Sequence, residues 1–329
     1  MIRALLLAIP LSFTAEAAIA QTPIEYQGAT APAAAPIPRT VDGHPDFSGQ
    51  WSTAFITSTG RMPGAKSVAV SDAEAKQISK GFVEFANSPA AGTLVDPDFY
   101  VAGVDQLLRV KGEWRTSLIT SPSTGVQNYT PEGKKMNAQR LAWNDLPADG
   151  PEMRGLFERC IVGIGSAPMT TVPGTLIRQV VQTPDHVVIA SDGNDTRIIG
   201  INAEPRPAGL TAMLGDSVAH WQGDVLVVHT TGLTGQIHKQ IITRPQSRVV
   251  ERFELIAPDE LFYQFTVEDT AIYAEPFSAE FVMKRSSDQV FEYACHEGNY
   301  SMTNILQAAR VADAKAKVKA KPRTAGGAQ

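Results

Sequence analysis

The stretch Tyr293-Ala-Cys-His-Glu-Gly-Asn-Tyr300 gathers a thiol, an imidazole, a carboxylate, an amide and two phenols. It follows a β-like run and opens the last helical pattern. Strand ends and the loops after them are where rigid scaffolds present chemistry. His296 is a candidate general acid or base, and Tyr300 a donor to substrate. Glu297 adjoins His296, but neighbouring strand residues point to opposite faces, so the two do not act on one atom. The same stretch also fits a structural role, with Asn299 or Ser301 capping the final helix and His296 bonding backbone.

Other candidates interrupt apolar strand faces. One face of the run 249–255 reads Val249, Glu251, Phe253, Leu255, and a buried carboxylate there needs a partner or a raised pKa. The next run places Phe262, Gln264, Thr266 and Glu268 on one face, polar for a core and suited to a ligand cavity. Val225, Val227, His229 and Thr231 repeat the pattern with a histidine, and Asp216, Val218 and His220 with an acid and a histidine. One such residue is ordinarily a satisfied core group or a rim ion pair. Several converging in one barrel would line a polar pocket.

Familiar motifs fail on inspection. Gly163-Ile-Gly165 lacks the third glycine and the βαβ setting of a dinucleotide site, and no G-x-S-x-G elbow occurs. Gly215-Asp-Ser-Val218 resembles a GDSL hydrolase only superficially, because it lies inside a β meander without the later Asp-x-x-His. The histidines at 44, 186, 220, 229, 238 and 296 include no i, i+2 or i, i+4 pair. A metal site would therefore need long-range convergence, and none is expected. The chemistry read here is acid–base or binding, with no cofactor.

The elements that must position these residues follow from periodicity. A helix is predicted over 71–87, opened by a Ser71/Glu74 capping box, and another over 130–142 with Pro131 at its first position. From Gly174 onward the period is two. Strands are predicted over 175–182, 186–190, 197–201, 216–221, 225–231, 248–256, 261–268, 277–285 and 290–296, joined by short turn signals. Short turns imply antiparallel neighbours. So long a meander curls rather than staying flat. The expected fold is mainly β: an antiparallel meander closing into a calycin-like barrel or strongly curved sheet, with N-terminal helices and a C-terminal helix.

Residues 1–20 read as a cleaved signal peptide, with Arg3, the apolar run 4–13 and Ala18-Ile19-Ala20 before Gln21. That apolar run is too short to span a bilayer, which takes about 20 residues. The expectation is an exported periplasmic protein with no transmembrane segment after cleavage. Residues 21–41 form an Ala/Pro-rich linker or strap, 42–310 a single β-rich domain, and 311–329 a basic disordered tail. In an oxidising compartment the two cysteines, Cys160 and Cys295, read as one disulfide. It would close a loop of roughly 135 residues, for about 4–5 kcal/mol in the chain-entropy model. A net charge of −5 argues against nucleic acid as a partner. The expected partner is a small-molecule substrate or ligand, and a homodimer is possible.

Between Asp42 and Arg310 the chain resembles a family of exported proteins abundant in sphingomonads and soil bacteria. The resemblance rests on Asp42-Gly-His-Pro-Asp-Phe-Ser-Gly-Gln-Trp51, Thr130-Pro-Glu-Gly133, Phe157-Glu-Arg-Cys160, Gln182-Thr-Pro-Asp185 and Gly215-Asp-Ser-Val218. It continues through Trp221-Gln-Gly-Asp224, Val250-Glu-Arg-Phe253 and Cys295-His-Glu-Gly-Asn-Tyr300. His220 stands where the family commonly has arginine, and His229 where a carboxylate is common, which suggests a specialised pocket.

The resemblance implies a place in the breakdown of lignin-derived aromatic dimers. The activity expected from it is a cofactor-independent lyase that releases formaldehyde from a phenylcoumaran to give a stilbene. That reaction needs a base for the γ-hydroxyl proton and donors for a phenolate oxygen. His220, His229 or His296 would be the base, with Asp216 or Glu251 orienting it. Arg197, Arg252 or Tyr263 would hold the oxyanion, and Glu268 and Tyr300 would contact substrate. The alternative is a non-catalytic small-ligand-binding barrel with these groups paired off. Whether His220, His229, His296, Asp216 and Glu251 converge separates the two.

Overall fold

The computed structural model describes residues 35–86, 88, 105–142, 148–156, 158–161, 166–171, 174–191, 195–235, 241–290, 292 and 294–320. The predicted signal peptide and His238 lie outside them, as does most of the predicted linker. The main sheet comprises β1 (Gly49–Phe55), β5 (Ile119–Ser121), β6 (Gly174–Gln182), β7 (His186–Ser191), β8 (Thr196–Ile201), β9 (Asp216–Gln222), β10 (Val225–Thr231), β11 (Arg248–Ala257), β12 (Glu260–Glu268) and β13 (Phe277–Ser286). Strands β1 and β6 to β13 form a closed barrel, sealed where Gln50, Trp51 and Ser52 pair with Ser286, Arg285 and Lys284. Strand β5 adds to β13 outside this ring.

Two expectations are corrected. The barrel is mixed, not wholly antiparallel, because β8 and β9 run parallel through Gly200↔Val218 and Ile201↔Ala219. The connection over 202–215 is long enough for the crossover that a parallel pair requires. The described residues of 290–296 form no strand. Beyond β12, the hydrogen-bonding edge of β13 is already taken by β1 and β5, so the alternating run after Ser286 has no sheet to join. The closing strand is instead β1, inside the Trp51 motif.

That motif stoppers one end of the barrel. Phe47 enters the lumen with 1 % exposure, and the Trp51 Nε1–H donates to its carbonyl at 2.8 Å. His44 stacks on Trp221 at 4.4 Å, while Gln182 accepts from Phe47 N–H at 2.9 Å and donates to Pro45 O at 3.0 Å. Arg39, from the strap, forks onto Asp224 at 2.9 and 2.7 Å. Gly49 has φ +133°, and a Cβ there would strike the Arg285 guanidinium. Above Phe47 the lumen is filled; a void of about 10 Å³ between Phe47, Val180, Leu226 and Phe253 is too small for a ligand.

Outside the barrel, β2 (Ala69–Val70), β3 (Leu108–Val110) and β4 (Glu113–Arg115) form a small sheet beside α1 (Asp72–Ala86). The expected capping box is present: Ser71 N–H donates to Glu74 at 3.1 Å, and Glu74 N–H to Ser71 Oγ at 3.4 Å. Helix α2 (Pro131–Ala142) starts at Thr130, whose Oγ1 accepts from Gly133 N–H at 3.0 Å. Helix α3 (Tyr300–Ala320) is held to the segment 148–160 by the Cys160–Cys295 disulfide, with Cα atoms 5.7 Å apart. Helical structure thus continues past Arg310, into the lysine-rich stretch read as a tail.

Candidate functional site

Opposite the Phe47 stopper, the inward positions turn polar. Alternation along each strand brings Thr53 (β1), Arg178 (β6), Ser191 (β7), Arg197 (β8), Ser217 (β9), Thr230 (β10), Glu251 (β11) and Tyr263 (β12) into the lumen, all nearly or fully buried. The register makes them one arc: Arg178 lies across from Ser191, Ser217 from Thr230, and Phe253, two residues beyond Glu251, from Tyr263.

Half of the arc is a closed network. Arg197 Nη1 donates to Glu251 Oε1 at 2.8 Å, and Nη2 donates to Glu251 Oε2 and to Thr230 Oγ1, the latter at 2.9 Å. Its Nε donates to Ser217 Oγ at 3.0 Å. The Tyr263 hydroxyl donates to Glu251 Oε1 at 2.7 Å and accepts from Met169 N–H at 2.8 Å. Such a forked pair survives burial only because its remaining lone pairs and protons are also bonded. Burial works against the Arg197 charge, but the Glu251 carboxylate outweighs it and holds the guanidinium above its usual range. Burial, and then the Glu251 charge, push the Tyr263 phenol well above its usual range, so it remains a donor. The network also spans the weakest wall of the barrel, since two residue pairs join β8 to β9 and Arg197 reaches across that seam.

The other half of the arc is less satisfied. Arg178 Nη2 donates to Thr170 O at 2.6 Å. The hydroxyls of Thr53, Thr171 and Ser191 are buried and have no hydrogen-bond partner among the described residues. The segment 166–171, which carries Thr171, is held at the barrel mouth by the bonds of Met169 N–H to Tyr263 and of Arg178 to Thr170 O, and Met169 is wholly buried.

Of the residues singled out from sequence, Arg197, Glu251 and Tyr263 therefore meet in the lumen. The others do not join them. His220 and His229 point outward and stack on each other at 5.6 Å. Burial, then His220 and Arg248, lower the His229 pKa, and Glu268 acts in the opposite sense. Asp216 faces out and accepts from Arg206 N–H at 2.7 Å. Arg252 is outward and donates to Gln222 at 3.1 Å. The face Phe262, Gln264, Thr266, Glu268 is likewise the outer one, with Glu268 exposed. His296 and Tyr300 are exposed at the start of α3. There Asn299 caps the helix through Met302 N–H at 3.2 Å and donates to Glu158 O at 2.9 Å and Cys160 Sγ at 3.2 Å. The opening motif is thus a covalent and hydrogen-bonded clasp.

Sequence reasoning missed Arg178, Thr53, Ser191, Ser217 and Thr230. Arg178 had the same signal as Glu251, a charge between apolar Leu176 and Val180. The hydroxyl residues carried none, because Ser and Thr occur on either face of a strand.

Among the described residues, no group of three or more His, Cys, Asp and Glu side chains could hold a metal, and no helix is long and apolar enough to cross a membrane. The fold and this lumen define a closed, mixed nine-stranded barrel with one polar end. No protein-family model, curated protein or solved structure matches the chain.

Proposed function

We propose that the chain binds a small aromatic ligand at the polar end of its barrel, beside Thr53, Arg178 and Ser191. The observation that carries this reading is the three buried hydroxyls of Thr53, Thr171 and Ser191, each without a partner among the described residues. Leaving a buried polar group unpaired costs about 1–3 kcal/mol, a cost that a ligand oxygen would relieve. Nearby, Tyr263 packs against Phe281 at 4.8 Å and Phe265 at 5.8 Å, a surround suited to an aromatic ring. Entry of the ligand displaces Met169 from the mouth. Ser217 and Glu251, which belong to the motifs that carry the family resemblance, hold the adjacent wall rigid. The signal-like residues 3–20 and the disulfide support a periplasmic location.

A second reading, the formaldehyde-releasing lyase, is favoured by the Tyr263–Glu251–Arg197 cluster. In it Glu251 takes the γ-hydroxyl proton, the C–C bond breaks as formaldehyde forms, and its electron pair becomes the stilbene double bond. The phenoxide expelled from the ring is stabilised by Arg197 and Tyr263. The outward histidines take no part.

One titration tests both. Purified protein is mixed with phenolic monomers and phenylcoumaran dimers, with binding followed by calorimetry and formaldehyde assayed in the same samples. Saturable binding should weaken about tenfold in Thr53→Val and Ser191→Ala, a loss of about 1.4 kcal/mol. Neither variant should lose stability, because the deleted hydroxyls bond nothing among the described residues. Binding without formaldehyde leaves the binding protein; release that stops in Glu251→Gln supports the lyase. No binding across the panel overturns both.

A further inference from the structure

We propose that His220 and His229 form a two-histidine site for a divalent transition-metal ion on the outer wall of the barrel. The site is separate from the lumen and does not depend on what the lumen binds. In the β9–β10 ladder His220 lies opposite Val227 and His229 opposite Val218, so the histidines are diagonal neighbours on one outward face. Their ring centroids are 5.6 Å apart and the rings are within 13° of parallel. Both side chains are exposed, while Val227 between them is 4 % exposed, which gives the pair an apolar floor.

The spacing is that of a shared ion. A zinc–nitrogen bond of about 2.1 Å and a ring radius of about 1.1 Å put two imidazoles on one ion with centroids about 5–6 Å apart. The rings need only turn about χ2, a broad torsion for histidine, to aim their nitrogens at a common point. Exposed rings are free to do so. Imidazole nitrogens favour zinc, copper and nickel over calcium or magnesium. Of the flanking groups, Arg252 donates to Gln222 and Asp216 is paired with Arg206, while Arg248 and Glu268, opposite each other across β11 and β12, set opposing charges near His229. Since no third His, Cys, Asp or Glu completes the set among the described residues, water fills the other positions and the ion stays open to exchange.

The test uses the untagged full chain, freed of metal and titrated with Zn²⁺ and with Cu²⁺ by calorimetry near neutral pH. One ion per chain should bind, and binding should weaken at least about tenfold in His220→Gln and again in His229→Gln. An independent measurement needs no variant: substoichiometric Cu²⁺ should broaden the imidazole resonances of His220 and His229 before those of His44, His186 and His296. The proposal is overturned by absence of stoichiometric binding, by retention of binding in either variant, or by broadening spread evenly over the histidines.

Discussion

Glu251 illustrates how a single residue is both costly and indispensable. It is fully buried, and its carboxylate is met by Arg197, Tyr263 and Thr230. Glu251→Ala should destabilise the fold by about 3–5 kcal/mol in denaturant unfolding, because Arg197 is left as an unpaired buried charge. Replacing both partners, as in Arg197→Met with Glu251→Leu, should recover most of that loss. A double variant as unstable as the sum of the two single ones would contradict this account. The phenols give a pH signature. Burial raises the pKa of Tyr263 and of Tyr273, whose hydroxyl donates to Ile242 O at 2.9 Å. In the unfolded chain a phenol ionises near about 10. The raised folded values make this contribution complete below about 10 and lost as pH climbs beyond it, since only the unfolded state then releases the protons. Absorbance at alkaline pH should show these two phenols ionising together with unfolding.

At the scale of elements, α2 shows tertiary packing overriding propensity. Glycine costs about 1 kcal/mol against alanine inside a helix, so Gly133→Ala would ordinarily stabilise. Here an added Cβ would run into the Ile272 carbonyl, a backbone atom with no freedom to retreat. Gly133→Ala should therefore lower stability by about 1–3 kcal/mol, read as a fall in Tm. The strands were the legible part of the sequence: alternation located β6 to β13 to within a residue or two at each end. It also showed Glu251 breaking an apolar face, as the structure has it. Alternation alone could not say which face turned inward where both carried polar residues. In β9 and β10 the histidine face went outward because Leu226, Val228, Ala219 and Trp221 on the other face outweigh Val218, Val225 and Val227 beside the histidines. The 290–296 run was misread because a strand pattern says nothing about whether an edge is vacant.

For the whole molecule, the barrel was foreseeable from the number of strands joined by short turns, and the disulfide from the pair of cysteines. The identity of the strand that closes the barrel was not. Nothing in the run Gly49–Phe55 marks it as the partner of a strand near the other end of the chain, because pairing between distant segments leaves no local trace. The polar end of the lumen was half legible for the same reason. Each strand gives up its own odd residue, but only the ring brings Arg178, Ser191 and Thr53 to one place.

That ring has a temporal consequence. Synthesis delivers β1 more than two hundred residues before its partner residues 284–286. Until they arrive, β1 can lean on β6 but keeps one side bare, and each newly added strand becomes a fresh bare margin. Open margins of this kind recruit other chains, and pairings this distant in sequence form slowly. The growing polypeptide is therefore an unfinished hoop until those residues emerge, and its hazard is joining a neighbour before it can join itself.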